Sequence, residues 1–238
     1  VFDFTAMPVG LRVIFALVMC ILLCTFFTAI GGFFTAKFKM HPFISTMSNM
    51  LVIFGLVTYA TKGVSFGAIE PSIPKMIIPR LNGFPTIILW AVAAIVIVWF
   101  IWNKTTFGKN LYAVGGNPEA AAVSGISVFG VTMGAFILAG ILYGFGSWLE
   151  CARMVGSGSA AYGQGWEMDA IAACVVGGVS FTGGIGKISG VVVGVLIFTV
   201  LIYSLTILGI DTNLQFVFEG IIIITAVTLD CLKYVQKK

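Results

Sequence analysis

The run VIFALVMCILLCTFFTAIGGFFTA, residues 13–36, holds 24 residues without one charged side chain. A helix needs about 20 apolar residues to cross the hydrocarbon core of a bilayer, so this run predicts a membrane-spanning helix. The composition agrees: of the 238 residues, 59% are apolar and 9% are charged. Soluble domains carry about a quarter charged residues. The chain is therefore expected to be an integral membrane protein of the all-α class.

Further apolar segments make the predicted fold a polytopic transmembrane helical bundle with about seven crossings. They are expected at residues 43–60, 85–102, 128–149, 168–186, 188–208 and 214–232. The segment 168–186 contains the pairs Gly177-Gly178 and Gly183-Gly184, which favour a broken helix. A crossing there is still expected, because it places Lys187 and the lysine-rich tail on the same side as the other basic loops.

The basic residues also predict orientation. Lys37 and Lys39 favour a cytoplasmic loop between the first two segments, and the loop 103–127 is expected in the cytoplasm because Lys104 and Lys109 begin it. The segment 61–84 carries both signs of charge and three prolines, which favours the outer side. The C-terminus is then cytoplasmic, in a multi-pass protein of the bacterial cytoplasmic (inner) membrane.

A polar stretch in the middle of that cytoplasmic loop, GGNPEAAAVSG at 115–125, has the signals of a short helix. Asn117 can cap free N–H groups, and Pro118 suits the first helical position. Glu119 places negative charge at the positive end of the helix dipole, and Gly125 can end the helix in a left-handed conformation. About two turns are too few for stability alone in water, so we expect this helix to dock on a partner.

The sequence offers no catalytic or metal site. The five cysteines are dispersed without a CxxC pair, the single histidine is His41 beside a proline, and the phosphate-binding pattern GxxxxGK[ST] is absent. Most carboxylates sit at segment edges; Glu219 lies inside an apolar run, where an interfacial carboxylate is favoured over an ion-coupling site. We therefore expect a transport subunit rather than an enzyme, with its energy supplied by a partner.

Glycines recur four residues apart, as at Gly140 and Gly144 and again at Gly190 and Gly194. Small residues at this spacing line one helix face and let a neighbouring backbone approach closely. Packing within one subunit is the first interpretation, and a subunit interface or a sliding face is the second.

The short motif Glu119-Ala120-Ala121, followed by Gly125, has a counterpart in a known family. This motif, on a loop between two crossings, resembles the EAA coupling loop of ABC importer permeases. The sugar branch of that family, which includes ribose, xylose and galactose importers, is similar over nearly the whole chain and most similar in its galactose/methyl galactoside members. The supporting stretches are residues 102–110, 112–121, 167–184 and 229–234.

The resemblance implies a single permease domain over residues 1–238 that translocates a monosaccharide, with galactose as the expected sugar. It implies an ABC ATP-binding subunit that holds ATP and Mg, a periplasmic or extracellular sugar-binding protein, a second permease copy and membrane lipid, with no nucleic acid and no cofactor on this chain. Family members carry further N-terminal crossings, so the chain is expected to be part of a longer protein. The residues expected to couple to the ATPase are Gly115, Gly116, Asn117, Pro118, Glu119, Ala120, Ala121 and Gly125.

A second set of residues is expected to line the path or a gate. The Gly-rich stretch 156–165 on the predicted outer side could shape an outer gate or contact the binding protein, or could be an ordinary surface loop. The candidates are Gly156, Ser157, Tyr162, Gln164, Gly177 and Gly178.

Two alternative functions stay open from the sequence alone. A secondary transporter would explain the glycine-broken helix, and a channel-type membrane subunit would explain the packing glycines. Neither alternative predicts an ATPase partner.

Overall fold

A computed structural model describes residues 8–65, 67, 70–81, 83–154 and 158–235. Helices dominate it, as predicted. The elements in chain order are α1 (Val9–Phe38), α2 (Pro42–Thr61), α3 (Ser72–Ile77), β1 (Arg80–Leu81), β2 (Phe84–Pro85), α4 (Ile87–Lys104), α5 (Thr106–Gly116), α6 (Pro118–Val123), α7 (Val128–Met154), α8 (Trp166–Val176), α9 (Ile188–Ile207) and α10 (Thr212–Val235). The strands β1 and β2 form a small antiparallel hairpin in the segment predicted to face outward.

Five helices of the described part are long and apolar enough to cross a membrane, namely α1, α2, α4, α7 and α9. In α10 the apolar stretch is shorter, at Asn213–Thr228. The segment 168–186, predicted as a broken helix, consists of most of α8 and the glycine-rich loop that follows it. With 11 residues, α8 rises about 16 Å, roughly half of the hydrocarbon core. The count of seven crossings therefore stays a prediction.

The chain divides into two compact units. The first comprises residues 1–96 and 127–162, and the second comprises residues 97–126 and 163–238, so the boundary falls inside α4. Each unit has its own buried cluster.

In the first unit, α1 packs along α7 over a glycine face. An added Cβ at Gly144 would lie 2.7 Å from the carbonyl oxygen of Cys20, and one at Gly140 would lie 3.1 Å from the amide nitrogen of Thr25. These two glycines therefore serve packing within the chain, which is the first of the two interpretations from the sequence. Close approach of this kind is a main source of helix association in membranes.

Aromatic residues complete the core of the first unit. The buried cluster contains Val13, Ile77 and Trp148, and the Trp148 indole donates a hydrogen bond of 3.3 Å to the Val13 carbonyl oxygen. Trp90 stacks edge-on against Trp148 and donates to the carbonyl oxygen of Ile77 at 3.2 Å. Both indole N–H groups are thus satisfied in an apolar environment where an unmet donor is costly.

In the second unit, α8 packs on α9 and α10. Ala172, Ala173 and Phe198 are buried together. An added Cβ at Gly194 would collide with the carbonyl oxygen of Ala173, and Gly190 and Gly177 exclude side chains from each other in the same way. Gly190 and Gly194 therefore let the half-length helix α8 lie directly on the backbone of α9.

Candidate functional site

The predicted coupling helix is present as α6, and a second helix, α5, precedes it. Thr105 caps α5, since its hydroxyl accepts a hydrogen bond from the amide of Gly108 at 3.2 Å. Asn117 caps α6: its Oδ1 accepts from the amides of Glu119 and Ala120, both at 3.0 Å. Pro118 occupies the first helical position. The capping predicted from the sequence is confirmed.

The end of α6 also matches the prediction. Gly125 has φ +82°, in the left-handed region that favours glycine. Its amide donates to the carbonyl of Ala122, and the amide of Ile126 donates to the carbonyl of Ala121, each at 3.0 Å. These two bonds are the Schellman pattern, which satisfies carbonyls left free at a helix end. A six-residue helix is thereby fixed at both ends.

The solvent-exposed face of α6 carries an apolar side chain. Val123 is 91% exposed, and Glu119, Ala120 and Ala122 are exposed beside it. Ala121 is the one buried residue of α6. An isolated valine at such exposure gains nothing from the folded chain itself, so α6 presents a small apolar and acidic surface suited to a partner.

Two of the predicted coupling residues have a different environment. Gly115 and Gly116 end α5 and lie against Gly183 and Gly184 of the loop between α8 and α9; we call these four residues the glycine contact. An added Cβ at Gly115 would lie 2.7 Å from the Gly184 nitrogen. Beside the contact, the Tyr112 hydroxyl donates to the Gly186 carbonyl oxygen at 2.7 Å. The sequence predicted neither α5 nor this contact.

A cavity of about 580 Å³ adjoins the glycine contact within the second unit. Its wall is formed by the end of α4, by Tyr112 and by the glycine-rich loop; the lining residues are Trp99, Asn103, Tyr112, Gly177, Gly178 and Gly184–Gly190. Two residues predicted for the path, Gly177 and Gly178, thus share one cavity, and Gly178 has φ +84° at the end of α8.

The other predicted path residues are not gathered there. Tyr162 belongs to the first unit, where its hydroxyl donates to Glu150 Oε1 at 2.5 Å and accepts from Arg153. The hydrogen bond to Glu150 raises the pKa of the Tyr162 phenol. Gln164 belongs to the second unit and is exposed. Gly156 and Ser157 lie outside the described residues.

Carboxylates on α8 form a feature that the sequence did not single out. The Oδ1 atom of Asp169 is buried and has no hydrogen-bond partner among the described residues. Helix α10, which carries Glu219, packs against α8. Glu167 accepts a hydrogen bond from the amide of Gly165 at 3.1 Å. The described residues contain no group of three side chains able to hold a metal ion.

Known proteins resemble the chain over nearly its full length. The galactose/methyl galactoside import permease protein MglC of Treponema pallidum (strain Nichols) is 53% identical over 99% of this chain and 46% of that protein. The protein of the same name from Haemophilus influenzae (strain ATCC 51907 / DSM 11121 / KW20 / Rd) is 43% identical over 88% of this chain and 64% of that protein. The one from Escherichia coli (strain K12) is 40% identical over 99% of this chain and 71% of that protein. The chain thus spans about half to seven-tenths of the length of these relatives. Comparison with solved structures found no match.

The family profile described as "Branched-chain amino acid transport system / permease component" matches residues 3–227, which is most of the chain. The match includes the spans α1, α2, α4, α7 and α9 and the α5–α6 segment between two of them. The chain therefore belongs to this family of transport-system permease components.

Proposed function

We propose that the chain is the membrane-spanning part of an ATP-driven importer for a monosaccharide, with galactose or methyl galactoside as its substrate. The observation that carries this proposal is α6, a helix capped at both ends that exposes Val123 between two membrane-spanning helices. The three related permeases, which are named for galactose and methyl galactoside, support the choice of sugar.

In this proposal, α6 fills a groove on an ATP-binding subunit. Val123 supplies apolar contact, and Glu119 meets a basic group or a backbone donor of that partner. The permease performs no covalent chemistry; ATP and Mg are held by the partner. A pair of ATP-binding subunits that closes on ATP would carry the α6 helices of two permease copies with it. Such a rigid-body movement switches the pair between outward- and inward-facing states.

Selectivity is assigned to a separate sugar-binding protein that delivers its ligand at the outer side. The sugar passes between two permease copies and needs no tight site there, because selectivity is left to the binding protein. The sugar is identified by reconstituting the complex with its binding protein and comparing ATP hydrolysis with galactose and with ribose. Stimulation by ribose alone would overturn the choice of galactose.

For the membrane topology we propose the arrangement expected from the sequence, in which α8 and its glycine-rich loop return the chain across the membrane and α9 and α10 are two further crossings. Two features support it. The 27-residue helix α7 is long enough to cross, and the loop after α8 contacts α5, which precedes α7 in the chain, through Gly183 and Gly184. In this proposal the C-terminus lies in the cytoplasm with the lysine-rich loops.

The decisive experiment replaces Val123 by aspartate. A charge at the centre of an apolar contact is costly to desolvate. We therefore expect the amount of ATP-binding subunit that co-purifies with Val123→Asp to fall at least about tenfold. We also expect this variant to lose ATP-dependent galactose uptake in vesicles. The matched control is Val64→Asp: Val64 is 67% exposed and lies in the segment predicted to face outward. Equal subunit retention and uptake in the two variants would contradict the proposal.

Secondary transport is the second candidate, favoured by one observation. The half-length helix α8 carries a buried carboxylate oxygen at Asp169 that has no hydrogen-bond partner in the part of the chain that the structure describes, and this combination is typical of ion-coupled carriers. The two functions differ in their energy source. Uptake that follows an imposed ion gradient without ATP, in vesicles of the intact permease, would favour the carrier.

A further inference from the structure

We propose that Tyr112 and the glycine contact form the joint that transmits movement of α6 to the half-length helix α8 and to α9. This inference rests on the proposed function, since it concerns the route from an ATP-binding subunit to the membrane helices. Tyr112 is a positioning residue in this proposal: it holds the loop between α8 and α9 against α5.

The first part of the route is the link between α6 and α5. A single residue, Asn117, separates the two helices. Its amide donates to the carbonyl of Ala113 in α5, and its own carbonyl accepts from the amide of Ala121 in α6, both at 3.0 Å. A force that displaces α6 therefore acts on α5 through hydrogen-bonded backbone, with no flexible linker between them.

The second part is the glycine contact. Gly115 and Gly116 meet Gly183 and Gly184 backbone to backbone: an added Cβ would lie 2.7 Å from the Gly115 oxygen if placed on Gly183, and 2.6 Å from the Gly116 Cα if placed on Gly184. Side chains can absorb a small displacement by changing rotamer, but backbone atoms in contact cannot. Movement of α5 toward the loop must therefore move the loop.

The third part is the loop itself, which is tied together internally. The amide of Ser180 donates to the carbonyl of Ile185 at 2.9 Å, and the hydroxyls of Ser180 and Thr182 share a hydrogen bond of 2.9 Å. The amide of Val179 donates to the carbonyl of Cys174 in α8, and α9 begins at Ile188. The loop is thus held together by hydrogen bonds and is continuous in the chain with both helices.

Two further features favour transmission over simple packing. The hydrogen bond from Tyr112 to Gly186 can pull the loop when α5 moves away, whereas the glycine contact can only push. The cavity of about 580 Å³ beside Tyr112 leaves room for the loop to shift without collision. A contact that served stability alone would gain from filling this space.

The test uses the intact permease with its ATP-binding subunit and binding protein in proteoliposomes, and measures sugar imported per ATP hydrolysed. We expect Gly115→Ala to lower this ratio at least about tenfold, because the added Cβ meets the Gly184 nitrogen. Tyr112→Phe removes one hydrogen bond and is expected to lower the ratio about fivefold. Both variants are expected to retain the ATP-binding subunit and to hydrolyse ATP.

Matched controls separate this effect from general damage. Gly220→Ala adds the same methyl group to α10, at a position where none of the described residues comes within 4 Å of it. Tyr59→Phe removes the hydroxyl of a side chain that is 87% exposed. Both are expected to keep the wild-type ratio. If Gly115→Ala does not fold, Tyr112→Phe alone decides the question.

The outcomes distinguish this inference from the proposed function. A wild-type complex that imports sugar with ATP, together with Tyr112→Phe at the wild-type ratio, overturns the joint and leaves the importer intact. A wild-type complex without ATP-dependent import overturns the proposed function and the joint with it.

Discussion

The contact between α1 and α7 gives a quantitative prediction about stability. An added Cβ at Gly144 would collide with the Cα of Ile21 and lie 2.7 Å from the Cys20 carbonyl oxygen, where ordinary contact begins at 3.4 Å, so the two helices must separate by at least about 0.7 Å. A gap of this size forfeits a quarter to a half of the dispersion energy across the contact. It also lengthens the bond from Trp148 to Val13, now 3.3 Å, beyond hydrogen-bonding range, at a cost of about 1 kcal/mol.

Together these losses predict that Gly144→Ala destabilises the permease by about 2 kcal/mol, within the range of overpacked cores. The control is Gly146→Ala on the same helix, where no atom of the described residues lies within 4 Å of the added methyl group. Denaturant titration in detergent, followed by tryptophan fluorescence, measures the difference, since Trp148 and Trp90 report from this interface. Coincident unfolding curves for the two variants would refute the proposed close packing.

Two further predictions concern single side chains outside the five membrane-spanning helices. Asn117→Ala removes the acceptor for two amides and is expected to destabilise α6 by about 1 kcal/mol, seen as faster amide exchange at Ala121. Asn117→Ser is expected to restore protection, and equal exchange in both variants would count against the cap. In the segment predicted to face outward, hydrogen bonds from Ser72 and Arg12 hold the pKa of Glu70 below its ordinary value. Stability from this group is therefore present above the ordinary carboxyl pKa and lost as the pH falls through the lowered pKa. Thermal unfolding at neutral and acidic pH should show a smaller acid loss in Glu70→Gln, and an unchanged acid loss would contradict the pairing.

Much of the helical fold could be predicted because hydrophobicity is a local property. The predicted segments 13–36 and 188–208 differ from α1 and α9 by a few residues at most. The end of α7 was missed for a physical reason: Glu150 and Arg153 lowered the apolar character, yet their ion pair at helical spacing continues the helix to Met154.

In the candidate site, too, features that depend on neighbouring residues could be predicted, and contacts between distant residues could not. The caps of α6 were predictable, since Asn117 and Gly125 act on neighbours within four residues. The glycine contact was not, because Gly115 and Gly184 are far apart in sequence and no local pattern joins them. Thr105 was a usable signal for the start of α5, as a threonine at a helix cap often is.

The single residue between α5 and α6 has a consequence for the length of this loop. Surface loops usually tolerate insertions, since nothing depends on the direction in which the chain leaves them. Here, one added residue would break the hydrogen bonds that Asn117 makes to both helices. If α5 were simply extended by that residue, α6 would be rotated by about 100°. Val123 would then face another direction, so the number of residues between α5 and α6 is itself a determinant of the exposed surface.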